Sequence, residues 1–149
     1  MSEYRLSPQD VLTIFRDLPQ HRGCDASLLD AAEHALGVVF PAFYREIMLL
    51  DAYRLYQTEI FLPVNELHEW TQAAGDDFVP GSTCTLTTRD VIFATALGGD
   101  DNYFFRADGV DDPPVYGLAL NSARPGSPNV VADTLSFFTS EILRSFLRI

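Results

Sequence analysis

Lysine is missing from this chain: all ten basic residues are Arg, and 21 acidic residues face them, for a formal net charge of −11. Such a surface repels phosphate backbones, so direct nucleic-acid binding is not expected, and anionic membranes are disfavoured for the same reason. Thiols are equally scarce. Cys24 and Cys84 are the only two, and their spacing matches neither a metal knuckle nor a C-x-x-C motif. They read as free thiols of a reducing compartment, with a disulfide between them as the alternative. No apolar run approaches the ~18 residues that a membrane-spanning helix requires. The opening MSEYRLSPQD has no basic start leading into an apolar stretch, so no secretory leader is expected and the protein reads as cytoplasmic.

What is present is ordinary for a globular protein. Apolar residues make up 47% of the 149 and charged residues 21%. A chain of this length can bury a core without metal or disulfide staples, and residues 1–149 are expected to form one domain. Its pI of about 4.4 favours basic protein partners, which an acidic surface attracts and steers.

Local patterns divide the chain into helices, then strands, then a helix. Ser7, Pro8 and Asp10 mark a helix start, and Val11, Leu12, Ile14, Phe15 and Leu18 follow helical spacing up to Pro19. Asp25 or Ser27 can cap a second helix whose apolar side is Leu28, Ala31, Ala32, Ala35 and Leu36. Gly37 suits the left-handed position just beyond a helix end. Pro41 opens a third helix with Phe43, Tyr44, Ile47 and Met48 inward. Tyr53–Leu62 is rich in aromatic and branched residues and reads as a strand or hairpin arm, stopped by Pro63. Val64–Ala74 reads as a short helix carrying Leu67 and Trp70. Residues 75–88 read as a polar loop.

Val91–Leu97 and Tyr103–Arg106 are strand candidates joined by a Gly-Gly-Asp-Asp-Asn turn. Val115–Leu120 and Val130–Val131 add two more, around a loop at 121–128. Leu135, Phe138, Ile142, Leu143 and Phe146 mark a closing amphipathic helix. Segregated strands of this kind predict an α+β fold: a mixed, mainly antiparallel sheet with N-terminal helices and a C-terminal helix packed against it.

Glu33, Leu36-Gly37, Phe40-Pro41 and Tyr44 follow the order E-x-x-LG-x-x-LP-x-x-Y/F, with Phe40 in place of Leu. Val91–Ala94, the Gly99-Asp100 turn, Tyr103–Phe105, Pro114–Tyr116, Ser136-Phe137 and Leu143 continue a pattern that resembles the SUKH superfamily over about residues 7–148. The order of these motifs is more specific than any one of them. One departure stands out: Asp51-Ala52 occupies the place where the family usually carries an Asn-Gly turn. The superfamily includes a yeast cell-wall synthesis regulator and many bacterial immunity proteins of polymorphic toxin systems. The resemblance therefore implies a non-enzymatic protein-binding domain. Its leading reading is an immunity protein that occludes a cognate toxin, often a nuclease and hence basic. A regulatory or scaffold module is the alternative. It also gives Glu33, Leu36, Gly37, Phe40, Pro41 and Tyr44 a structural role as the family motif.

The sharpest local feature is acidic. Between residues 76 and 112, eight Asp face only Arg89 and Arg106. Asp76, Asp77, Asp100, Asp101, Asp111 and Asp112 are the candidate partner-facing residues, weighed against the plain role of solvated turn residues. A calcium loop starting at Asp100 fails at Phe104, where a third oxygen ligand is needed. Neither the scattered His21, His34 and His68 nor Glu66 and Glu69 on one helix face suggest catalysis. No metal, cofactor or catalytic residue is expected. Glu33 is placed to pair with Arg45. Tyr53, Tyr56, Phe61 and Trp70 are expected in the core, although Tyr and Trp also anchor interfaces. An exposed sheet edge would permit a dimer.

Overall fold

The computed structural model describes residues 6–76, 87–96, 101–119 and 129–147. Helix α1 spans Pro8–Asp17. Ser7 closes a capping box on it: the Asp10 N–H donates to Ser7 Oγ at 3.1 Å, and the Ser7 N–H donates to Asp10 Oδ2 at 3.0 Å. Helix α2 spans Ala26–Leu36 and ends at Gly37, whose φ of 70° is left-handed, as a C′ glycine provides. Its buried side chains are Leu29 and Ala32, while Leu28, Ala31 and Ala35 are exposed. The apolar stripe thus lies one residue further on than Leu28 suggests, because Leu29 is the side chain that reaches the core.

Helix α3 runs Ala42–Tyr56. Pro41 precedes it, and Phe43, Tyr44, Ile47 and Met48 are buried as their spacing predicts. The strand expected from Tyr53 is absent. The helix breaks at Asp51 (φ −160°, ψ 54°) and then resumes to Tyr56, with Ala52 and Leu55 buried. Strand propensity is weak against tertiary context, and here an outside segment satisfies the broken turn. Only the end of the expected strand behaves like one. Phe61 bridges Ala94, the Leu62 N–H donates to the Phe93 carbonyl at 3.0 Å, and the Thr95 N–H donates to the Ile60 carbonyl at 2.8 Å. A single 3₁₀ turn at Val64–Glu66 then leads into α4, Leu67–Asp76.

Four strands follow: β1 (Asp90–Ala96), β2 (Asp101–Arg106), β3 (Val115–Ala119) and β4 (Asn129–Ala132). They form an antiparallel meander in the order β1-β2-β3-β4, and α5, Leu135–Leu147, closes the chain. The arrangement is α+β. The outer edge of β1 is covered, as a sheet edge requires: residues 60–62 pair with it, and the Ile92 N–H donates to Thr71 Oγ1 of α4 at 3.0 Å. The β1–β2 register slips between Ile92 and Ala94, and Phe93 at that bulge is fully buried.

Aromatic rings weld the layers together. Phe93 lies 5.1 Å from Phe105 and 5.5 Å from both Phe61 and Phe138, and Tyr44 reaches Phe40 at 5.1 Å and Phe105 at 5.3 Å. These centroid distances suit the edge-on and tilted contacts that aromatic pairs prefer. The cluster ties α3, β1, β2 and α5 into one core. The Tyr44 hydroxyl sits inside it with no hydrogen-bond partner among the described residues, and burial raises its pKa well above the ordinary tyrosine value. Of the other aromatics expected inside, Phe61 is buried, Tyr56 and Trp70 are half-buried, and Tyr53 is exposed.

Candidate protein-binding surfaces

Composition treats the acidic residues alike, but the fold separates them. Among the described residues, four carboxylates stand out as each fastening a backbone N–H and a side-chain donor at once. Glu33 Oε2 accepts the Phe40 N–H at 2.6 Å, and its Oε1 accepts Arg45 Nη1 at 2.6 Å. Asp90 Oδ2 accepts the Thr87 N–H at 2.8 Å, while Oδ1 accepts Arg106 Nε across the β1–β2 pair at 2.8 Å. That bond, more than any other influence, raises the Arg106 pKa. Asp112 receives the Ser136 N–H at 2.8 Å and the Ser136 hydroxyl at 2.7 Å, so it caps α5 from a distant loop. Asp51 is the fourth, described below. In each case one oxygen takes a backbone N–H and the other takes a side-chain donor.

The partner-facing candidates therefore part company. Asp111 is exposed, and only its backbone carbonyl is engaged, by the Phe43 N–H at 3.0 Å. Asp101 is half-buried at the start of β2, and Asp108 is exposed. Asp112 is half-buried and committed to Ser136. Asp76 ends α4, while Asp77 and Asp100 lie outside the described residues, as does Cys84. Asp111 and Asp112 sit together on the loop before β3.

The motif residues form the α2–α3 corner. Glu33 reaches over it to Phe40 and Arg45, Arg45 also bonds Asp30 at 3.1 Å, and Gly37 turns the chain. Phe40, Pro41 and Tyr44 are buried and Leu36 is half-buried. The corner is closed, with its carboxylate fully partnered.

A second corner, invisible to local pattern, lies where the α1–α2 loop docks on the break in α3. The Arg22 N–H donates to Asp51 Oδ1 at 3.1 Å, and the Arg22 carbonyl accepts the Tyr53 N–H at 3.0 Å. The Cys24 N–H donates to the Met48 carbonyl at 2.9 Å. Arg54 gives Nε to Asp51 Oδ2 at 2.7 Å and Nη2 to the Pro19 carbonyl at 2.6 Å. Asp51 is 1% exposed, so a buried charge is held by one Arg and one backbone donor. Gly23 is obligatory for the fit, since a Cβ there would stand 1.7 Å from the Leu49 carbonyl oxygen. Burial raises the pKa of the Cys24 thiol next to this contact.

A cleft of about 410 Å³ opens at this second corner, between Gln20–Arg22 and the residues that follow the break. Gln20 holds a left-handed φ of 62°, uncommon away from glycine. The Arg22 guanidinium lies 5.0 Å over the Tyr53 ring, and Tyr53 is 48% exposed. The residues that shape this cleft escaped a pattern-based reading. The one signal in the sequence was the Asp51-Ala52 departure at the end of the third helix.

Among the described residues no three His, Cys, Asp or Glu side chains gather as a metal site would require, and no helix is long and apolar enough to cross a membrane. The sequence model of the SMI1 / KNR4 family (SUKH-1) matches residues 23–141. The match takes in the closed corner, the docked loop from Gly23 onward, the whole sheet and the first half of α5. Comparison with curated proteins finds no match.

Proposed function

The chain belongs to the SMI1 / KNR4 family (SUKH-1), and from that premise we propose that it is a protein-binding domain that neutralises a cognate toxin. It acts by stoichiometric occlusion in the cytoplasm, without catalysis. Family membership carries the proposal, and the net charge of −11 gives the partner its character: a basic protein, as a toxin that must hold phosphates tends to be. Charge supplies encounter rate and specificity, while a few buried anchors supply most of the affinity.

The exposed carboxylates of Asp108 and Asp111, with half-buried Asp101, are the residues offered to that partner, joined by Asp76, Asp77 and Asp100. Asp112 belongs to the same acidic segment, but its carboxylate already caps α5, so reversing its charge would test folding as well as binding. The clean variant is Asp108→Arg with Asp111→Arg. It is expected to slow association with the partner at least tenfold and to flatten its salt dependence. An unchanged association rate removes the acidic surface from the interface. The function itself is tested by co-expression with the product of the gene adjoining this chain's own, chosen when that product alone arrests growth. Restored growth is expected, and growth arrest in the presence of folded protein rejects immunity in favour of a regulatory or scaffold role.

A further inference from the structure

The cleft at the α3 break is lined by two Arg and one Asp, a positive formal balance in a chain of net charge −11. Among the described residues Arg22 makes no ion pair, in a chain with 21 acidic residues. Its structural work is done by its backbone, whose N–H and carbonyl are both bonded across the break. The side chain is therefore left over, yet it is not loose, because the Tyr53 ring holds the guanidinium at 5.0 Å. A cation already fixed in place loses little entropy when it binds, which is the condition for a useful anchor. The one carboxylate in the cleft, Asp51, does not compete for it, since both of its oxygens are taken by Arg54 Nε and the Arg22 N–H.

We propose that this cleft binds a carboxylate carried beside a flat apolar group, presented by a protein segment. The guanidinium fork matches the two oxygens of a carboxylate. One unpaired guanidinium beside a buried Asp suits a monoanion better than a phosphate dianion. Half-exposed Tyr53, with Pro19 in the same lining, supplies the apolar wall. A cleft of about 410 Å³ is in the size range that holds a single ligand group. Two presentations share this chemistry: an acidic side chain next to an aromatic residue, and an aromatic residue at a chain's C-terminus. The inference does not rest on the toxin reading, and its probes are small molecules, so failed rescue of growth and failed titration are separate results.

The test is a ¹H–¹⁵N NMR titration of the full chain, at constant ionic strength, with sodium benzoate, sodium acetate, acetyl-Phe-Glu-amide, acetyl-Gly-Phe carrying a free carboxylate, and inorganic phosphate. Benzoate and at least one peptide are expected to give saturable shifts confined to residues 20–24 and 51–57 and to the Arg22 Nε–H. The peptide that saturates identifies the presentation. Arg22→Gln, which keeps both backbone bonds, is expected to weaken binding at least tenfold while leaving the remaining spectrum in place. Tyr53→Ala is expected to weaken benzoate more than acetate. Non-saturating shifts, shifts unaffected by Arg22→Gln, failure of both peptides, or phosphate binding as tightly as benzoate would each overturn the proposal.

Discussion

Two corners of this molecule are built with the same device and finished differently. At the α2–α3 corner the Glu33 carboxylate takes the Phe40 N–H and Arg45; at the α3 break the Asp51 carboxylate takes the Arg22 N–H and Arg54. In both, one oxygen secures a distant backbone donor and the other neutralises its charge on Arg, which answers both demands of a buried carboxylate. The first corner has nothing left over, whereas the second retains Arg22, whose backbone is bound and whose charge is not. A saturated clamp is scaffold. A clamp with a spare, pre-positioned cation beside a cleft is where a ligand can be received.

Removing the clamps should separate them most. Asp51→Ala leaves the Arg54 charge and the Arg22 N–H without their acceptor at a site 1% exposed, and a loss of about 3–4 kcal/mol is expected in urea unfolding. Glu33→Ala, at a side chain 16% exposed, should cost about 2 kcal/mol. Equal losses would mean that burial does not distinguish the two clamps.

The glycines sharpen the same comparison. Gly23→Ala forces a Cβ onto a backbone oxygen that cannot move without opening the break, so about 2–3 kcal/mol should be lost, with the Cys24 amide exchanging faster with solvent. Gly37→Ala meets nothing within 4 Å and carries only the strain of its left-handed φ, about 1 kcal/mol. One glycine is required for space and the other for backbone conformation, and thermal melts of the two variants report the difference.

The acidic loop before β3 offers a smaller contrast. Asp112→Ala should cost about 1–2 kcal/mol as a lost helix cap, while Asp111→Ala should stay within about 0.5 kcal/mol. Chemical denaturation of both single variants would show whether cap and surface residue are correctly told apart.

The one change expected not to destabilise lies in the core between the corners. Tyr44→Phe removes a hydroxyl without a partner, so stability at neutral pH should be unchanged or higher by about 1 kcal/mol. Its pKa is higher folded than unfolded, so above about pH 10 the native state holds a proton that the unfolded chain has released. Stability falls with rising pH there, and the raised values of Tyr56 and Tyr103 act in the same direction. Tyr44→Phe should make that fall shallower, by at most about 1.4 kcal/mol per pH unit. An unaltered alkaline slope would show that Tyr44 titrates as it does in the unfolded chain.

The punctuation of the chain was readable because its causes are local. A capping box needs only Ser7 and Asp10, a helix end needs Gly37, and a hairpin needs two apolar runs about a turn. The placing of Glu33 opposite Arg45 was within reach for the same reason, since twelve residues and one corner separate them. In α2, Leu28, Ala31 and Ala35 missed the core that Ala32 and Leu36 reach, and the strand from Tyr53 failed, where a neighbour had the deciding vote: Leu29 faces the core, and the α1–α2 loop supplies what the broken helix lacks.

By itself, then, the sequence determined the order of elements, their caps, the α+β class and an acidic surface of net charge −11. Only the tertiary structure decided which carboxylates hold the fold and which face solvent, and that α3 could break and resume. It also decided that Arg22 would be fastened by its backbone with its charge unspent. The least legible of those outcomes rest on contacts between residues 24 to 35 positions apart: Ser136 with Asp112, Arg22 with Asp51, and Arg54 with Pro19. No local window contains both partners, and a carboxylate's role is set by what reaches it.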